Sequence, residues 1–184
     1  MSKGELLTRG TIWITLVAYA IGSATFALVP KRVLSDGITR IAWTIACLSL
    51  FAHLISGYQF FYSWSHQTAY ADTARQTEEV VGLAWGGGLF INYGLLLAWT
   101  IDLGLWWRNG LDSYRKRPWP LIAVWHWFLI FIIFNATVVF KTGLVRWVGL
   151  AICLGLSLTW ALVAKERATT SRCSSPTVKE GSDG

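Results

Sequence analysis

The segment WPLIAVWHWFLIFIIFNATVVF, residues Trp119–Phe140, decides how this chain folds. It holds no Asp, Glu, Lys or Arg, and apart from its tryptophans its polar side chains are His126, Asn135 and Thr137. Apolar residues lie on every side of the run. It therefore matches neither a surface helix with one apolar stripe nor a barrel strand that alternates. About 20 such residues carry an α-helix across roughly 30 Å of hydrocarbon. In lipid, a helix satisfies its backbone amides within its own segment.

Four more stretches read the same way: Ile12–Pro30, Ile41–Tyr62, Val80–Trp107 and Trp147–Ala164. Across all five, Asp102 is the only charged residue. The composition agrees. Of 184 residues, 54% are hydrophobic and 14% charged, where a soluble domain carries about 25% charged residues. The mean hydropathy is +0.46. These values exclude an ordinary soluble domain and a disordered chain. The fold class they predict is all-α, a polytopic bundle of five transmembrane helices over residues 1–164, with a disordered polar tail over 165–184. As one helix, Val80–Trp107 would be about 42 Å long, so it must tilt or leave its first turn outside the hydrocarbon. The first stretch exceeds the 7–15-residue core of a signal peptide, so it is expected to be retained.

Basic residues set the expected orientation. Lys31, Arg32 and Arg40 follow the first span, Arg108 and Arg115 to Arg117 follow the third, and Lys165, Arg167, Arg172 and Lys179 follow the fifth. Fewer lie on the other side: Lys3, Arg9, Arg75, Lys141 and Arg146. The bias places the N-terminus outside and the C-terminus in the cytoplasm. It also accounts for the net charge of +6 without a nucleic acid, for which no recognition motif is present. Arg115-Lys116-Arg117 is expected to face anionic lipid headgroups. Trp64, Trp106, Trp107, Trp119 and Trp147, at the span ends, are expected in the interface belt. A bacterial inner membrane is the expected location, since no retention or lipidation signal is visible.

Cys47 and Cys153 fall within spans and Cys173 in the tail, so no disulfide is expected. Ser63–Glu79 is the longest outer connection, with a short helix expected over Tyr70–Glu79. Its His66, Asp72, Glu78 and Glu79 match no metal-ligand spacing, and it reads as a solvated segment.

Polar groups inside a membrane are costly and mark packing or function. His53 lies about 18 Å from Ile41 and Asn92 about 22 Å from Trp107 by helical rise, both near mid-membrane. His53 shares its face with Ala46, Ser49, Ser56 and Gly57, so it should point at another helix. Asp102, about 7–8 Å deep, and His126, about 10 Å deep, lie at matching levels and form a candidate pair. Asn135 is expected to make a separate bond between helices; its match to a glycosylation sequon is accidental within a span. Gly82 and Gly86 form a G-x-x-x-G pair suited to close helix approach, within this chain or between two copies. Ala18 with Gly22 and Ala20 with Ala24 offer matching small surfaces.

Three functions compete on these residues. The leading one is a non-enzymatic accessory, assembly or binding bundle, since loops this short leave little room for a catalytic domain. A second is a small transporter or channel component, with Asn92 and Asp102 lining a path. A third is a haem- or quinone-binding redox protein with His53 and His126 as ligands. Neither H-E-x-x-H nor G-x-S-x-G occurs.

Overall fold

The computed structural model describes residues 2–29 and 33–173. The described residues form six α-helices and no strand: α1 (Lys3–Leu28), α2 (Val33–Phe60), α3 (His66–Val81), α4 (Gly88–Arg115), α5 (Trp119–Phe134) and α6 (Leu144–Cys173), with a π-helical turn, Asn135–Val139, closing α5. Five of these segments are long and apolar enough to cross a membrane, and the chain is a small multi-pass membrane protein.

Most helices overrun the apolar stretches, for local reasons. α1 starts at Lys3 rather than Ile12 because Ser2 and Glu5 build a capping box. Ser2 Oγ accepts from the Glu5 amide at 3.2 Å, and Glu5 accepts from the Ser2 amide at 3.0 Å. α5 opens at Trp119, where Pro120 stands in the first turn and lacks only an amide that would be unbonded anyway. Its end widens into the π turn, in which the Phe140 amide bonds to the Asn135 carbonyl. Asn135 donates from its side chain to its own Phe131 carbonyl at 2.8 Å, so the bond expected between helices is not made. α6 runs on to Cys173, so the expected tail is helical over 165–173; positions 174–184 lie outside the described residues.

The third expected span needs the largest correction. The chain over 80–87 does not belong to it. α3 takes residues through Val81 and ends on Gly82, whose φ of 75° is left-handed and whose amide bonds back to Glu78. The membrane helix starts only at Gly88. Gly82 and Gly86 therefore do not share a helical face. Gly86 instead lets the chain pass against Tyr70, where a Cβ would come within 2.6 Å of the Tyr70 carbonyl oxygen. At the far end, α4 runs to Arg115 but breaks at Gly110, with φ 73° and ψ 163°. The straight part, Gly88–Asn109, is about 33 Å long, which fits one hydrocarbon thickness with residues 80–87 left out of the helix, the second of the two expected alternatives.

α1 lies at the centre, packed on α2 and α6; α4 adds outside α2, α5 outside α6, and α3 rests on the start of α4. Small residues bring α1 and α2 together: Ala18 and Gly22 are buried, and a Cβ on Gly22 would sit 3.4 Å from the Ala42 methyl. The core is aromatic. Tyr19, Trp43, Trp106 and Trp160 are each at most 1% exposed. Trp106 is thus a core residue and not an interface anchor, and Trp119 leans on Trp160 at 5.9 Å between ring centres. Trp64, Trp107 and Trp147 remain exposed as the belt requires.

Candidate functional site

The interior polar groups meet at the end of the bundle where α1 and α4 finish and α2 and α5 begin, here called the basic end. His126, the one histidine of α5, is 1% exposed. Its Nδ1 lies 3.1 Å from the Tyr19 hydroxyl of α1, its ring stacks on Trp160 of α6 at 3.7 Å, and Trp43 of α2 meets it at 5.5 Å. Trp160 in turn donates its indole N–H to Ser23 Oγ at 2.8 Å. Four helices are thereby tied through one imidazole.

Asp102 of α4 does not pair with His126. Its Oδ1 accepts from Arg117 Nη1 at 2.7 Å. The reason lies in the chain between them. At Gly110 the backbone enters a region essentially reserved for glycine and sends the next turn back against the bundle. Leu111 and Tyr114 are then 1% and 2% exposed. Tyr114 packs on Trp106 at 4.6 Å and on Phe26 at 5.5 Å. We call residues 111–117 the plug. A second ion pair holds it: Arg115 Nη2 donates to Asp36 Oδ1 of α2 at 3.0 Å, while its guanidinium covers the Phe26 ring at 4.5 Å. Two of the three basic residues expected to face headgroups therefore turn inward, and Lys116 alone of that run is exposed.

Several buried polar atoms here lack a full partner among the described residues: Asp102 Oδ2, His126 Nε2, the Tyr114 hydroxyl and the indole nitrogens of Trp43, Trp99 and Trp106. The Trp43 and Trp106 indoles lie beside the Asp102 carboxyl without completing hydrogen-bond geometry. An unmet acceptor among unmet donors is costly in a low-dielectric core.

The other sequence candidates lie apart. His53 donates from Nδ1 to the Thr8 carbonyl of α1 at 2.8 Å, since a carbonyl can only accept. Thr8 and Tyr19 stand 11 residues apart on α1, about 16 Å by helical rise, so His53 and His126 are not brought to opposite sides of one iron. Asn92 is exposed and stands in the first turns of α4, not at mid-membrane. It is about 15 Å along the helix from buried Asp102. Among the described residues, no group of three or more His, Cys, Asp and Glu could hold a metal ion. Cys47 and Cys153 are buried and free.

At the opposite end, α3 is docked by a second polar cluster. Tyr62 donates to Asp72 at 3.0 Å, Gln76 donates to the same carboxylate at 2.7 Å, and Arg75 bridges Asp72 at 2.6 Å and Glu79 at 2.5 Å. Partial burial pushes the Asp72 carboxyl up, but the bonds from Arg75, Tyr62 and Gln76 outweigh it and hold the group below its ordinary value. Burial, then the neighbouring Asp72, pushes the Tyr62 phenol up to about 12. His66 sits edge-on to Phe90 and Tyr93, and the Tyr58 and Tyr93 hydroxyls meet beside it.

Sequence reasoning found Asp102 and His126 because each is a polar residue in an apolar run. It missed Tyr19, Trp43, Trp160 and Arg117. Aromatic residues in a membrane span are ordinary, and Arg117 lies in a connection whose backward turn is signalled by Gly110 alone. No protein-family model, curated protein or solved structure shows significant similarity to this chain.

Proposed function

We propose that this membrane protein is a non-enzymatic binding bundle, an accessory or assembly component acting through what it holds. One observation carries this reading. The intramembrane polar side chains at the basic end join different segments inside a packed aromatic core: Tyr19 with His126, Ser23 with Trp160, Arg117 with Asp102. Groups arranged to fix helices against one another suit recognition, where a rigid surface or pocket must be kept in shape. The same reading takes the basic end as cytoplasmic, because basic residues collect there, and a bacterial inner membrane as the site. Native mass spectrometry of the protein released from its own membrane tests it. A non-covalent companion other than lipid is expected; a bare chain of 20.6 kDa carrying only lipid would overturn the reading. A reduced-minus-oxidised absorption spectrum on the same sample tests the haem form of the redox alternative, which requires a Soret band; extraction and chromatography of bound quinone tests the other form.

A further inference from the structure

We propose that Asp102 is the anchor of a binding site for a small guanidinium or amidinium cation, and that Arg117 is its tethered occupant. This deepens the binding reading above and rests on it.

The geometry of the pair is incomplete in a telling way. Arg117 reaches Asp102 through one nitrogen and one oxygen, Nη1 to Oδ1. Oδ2 is buried and has no completed bond among the described residues. A guanidinium free of a backbone can lay two parallel N–H groups on both carboxylate oxygens, the stronger fork that Arg117 does not make. Asp102 also offers more than charge. The guanidinium of Arg117 lies 4.6 Å from the centre of the Tyr114 ring, and Trp106 backs that ring. A flat cation set between a carboxylate and an aromatic face is a recognised mode of binding.

The occupant can leave without dismantling the wall. The Arg117 side chain is 30% exposed, while that of Asp102 behind it is 10% exposed. Water reaches the guanidinium first. The plug keeps its own attachments when Arg117 swings out, since Leu111 and Tyr114 are buried and Arg115 is bound to Asp36. Tyr114 therefore stays in place to receive a replacement cation. The Asp36–Arg115 pair beside the site is neutral as a unit, so the exchange of one cation for another leaves the local charge unchanged.

Tryptophan fluorescence of the full-length protein in detergent, titrated with methylguanidinium chloride, tests the proposal. Trp43 and Trp106 adjoin the carboxyl and report on it. Tetramethylammonium chloride at equal concentration controls for ionic strength, because it lacks N–H donors. The expected result is a saturable change with methylguanidinium alone, at least tenfold lower half-saturation in Arg117→Gln, and no saturation in Asp102→Asn. If Arg117→Gln fails to fold, Arg117→Lys keeps the charge without the planar fork and should shift half-saturation in the same direction, by less. A wild-type protein without a saturable response, or an Asp102→Asn variant that responds like wild type, would overturn it. A chain that carries a companion in native mass spectra yet ignores methylguanidinium would keep the binding reading and lose this one.

Discussion

Asp102 and Arg117 are unequal partners. The carboxylate sits in the core and the guanidinium at its mouth, so removing either has a different cost. Arg117→Ala strands a buried charge, which costs 3–5 kcal/mol where both partners are enclosed. With Arg117 part-exposed and water able to enter, about 2–3 kcal/mol is the expected loss. Asp102→Asn removes the charge as well, and the double change Asp102→Asn with Arg117→Ala should recover most of the stability. Reversible unfolding in mixed micelles across the double-mutant cycle measures this; a double variant no better than Arg117→Ala would show that packing, not charge, governs the site. Tyr19→Phe leaves the His126 Nδ1 without its bond to the Tyr19 hydroxyl in a site 1% exposed. The same assay should report a loss of about 1–3 kcal/mol. Both central polar residues were legible in the sequence, since each interrupts an apolar run. Their partners were not. Matching depths suggested Asp102 with His126, but depth ignores which face a residue occupies and what a connecting turn can bring back.

Glycine ends α3 at Gly82 and breaks α4 at Gly110, in both cases through backbone conformation. At Gly110, nothing lies within 4 Å of an added Cβ, but φ is 73° with ψ 163°. Gly110→Ala should therefore act through strain alone, at about 1–3 kcal/mol, and faster hydrogen exchange over residues 111–117 should localise it. Gly104→Ala, on the same helix with open space around it, should instead stabilise the isolated protein by up to about 1 kcal/mol. Equal effects of the two changes would refute the distinction. α3 carries the pH response. The Asp72 carboxyl is held below its ordinary value, so its contribution is present above about pH 4 and fades as pH falls through the lowered value. The Tyr62 phenol is pushed up to about 12, so its contribution holds below about pH 10 and is lost as pH rises toward that value. Protection of 66–81 against exchange, corrected for intrinsic rates, should be flat between these limits, and Asp72→Asn should lose the acid limb. The helix content of these elements was legible from hydropathy. The division at Gly82 was not, because apolar residues on both sides of the glycine run join into one stretch when only polarity is read.

At the scale of the whole molecule, the sequence yields which segments cross and leaves their order open. Apolar faces look alike to lipid and to a neighbouring helix, so nothing in hydropathy places α1 between α2 and α6. Small residues at Ala18 and Gly22 mark one contact, but α4 is set beside α2 by Trp43 stacking on Trp106 at 4.8 Å, a pairing no spacing rule supplies. Charge adds a statement about orientation that packing does not make. The basic end carries Arg108 and Lys116 as exposed cations, while α3, at the other end, pairs Arg75 with Asp72 and Glu79 and so presents little net positive charge. Translocation resists basic residues near span ends, and the orientation proposed above has α3 outside and the plug inside. A membrane-impermeant maleimide on intact cells tests this after Cys173→Ser, since Cys47 and Cys153 are buried. Gln67→Cys, exposed on the first turn of α3, should label from outside; Lys116→Cys should label only after the cells are opened. The reverse pattern would invert the molecule and turn the mouth at Arg117 toward the exterior, so that a cation reaching Asp102 would have to come from outside the cell.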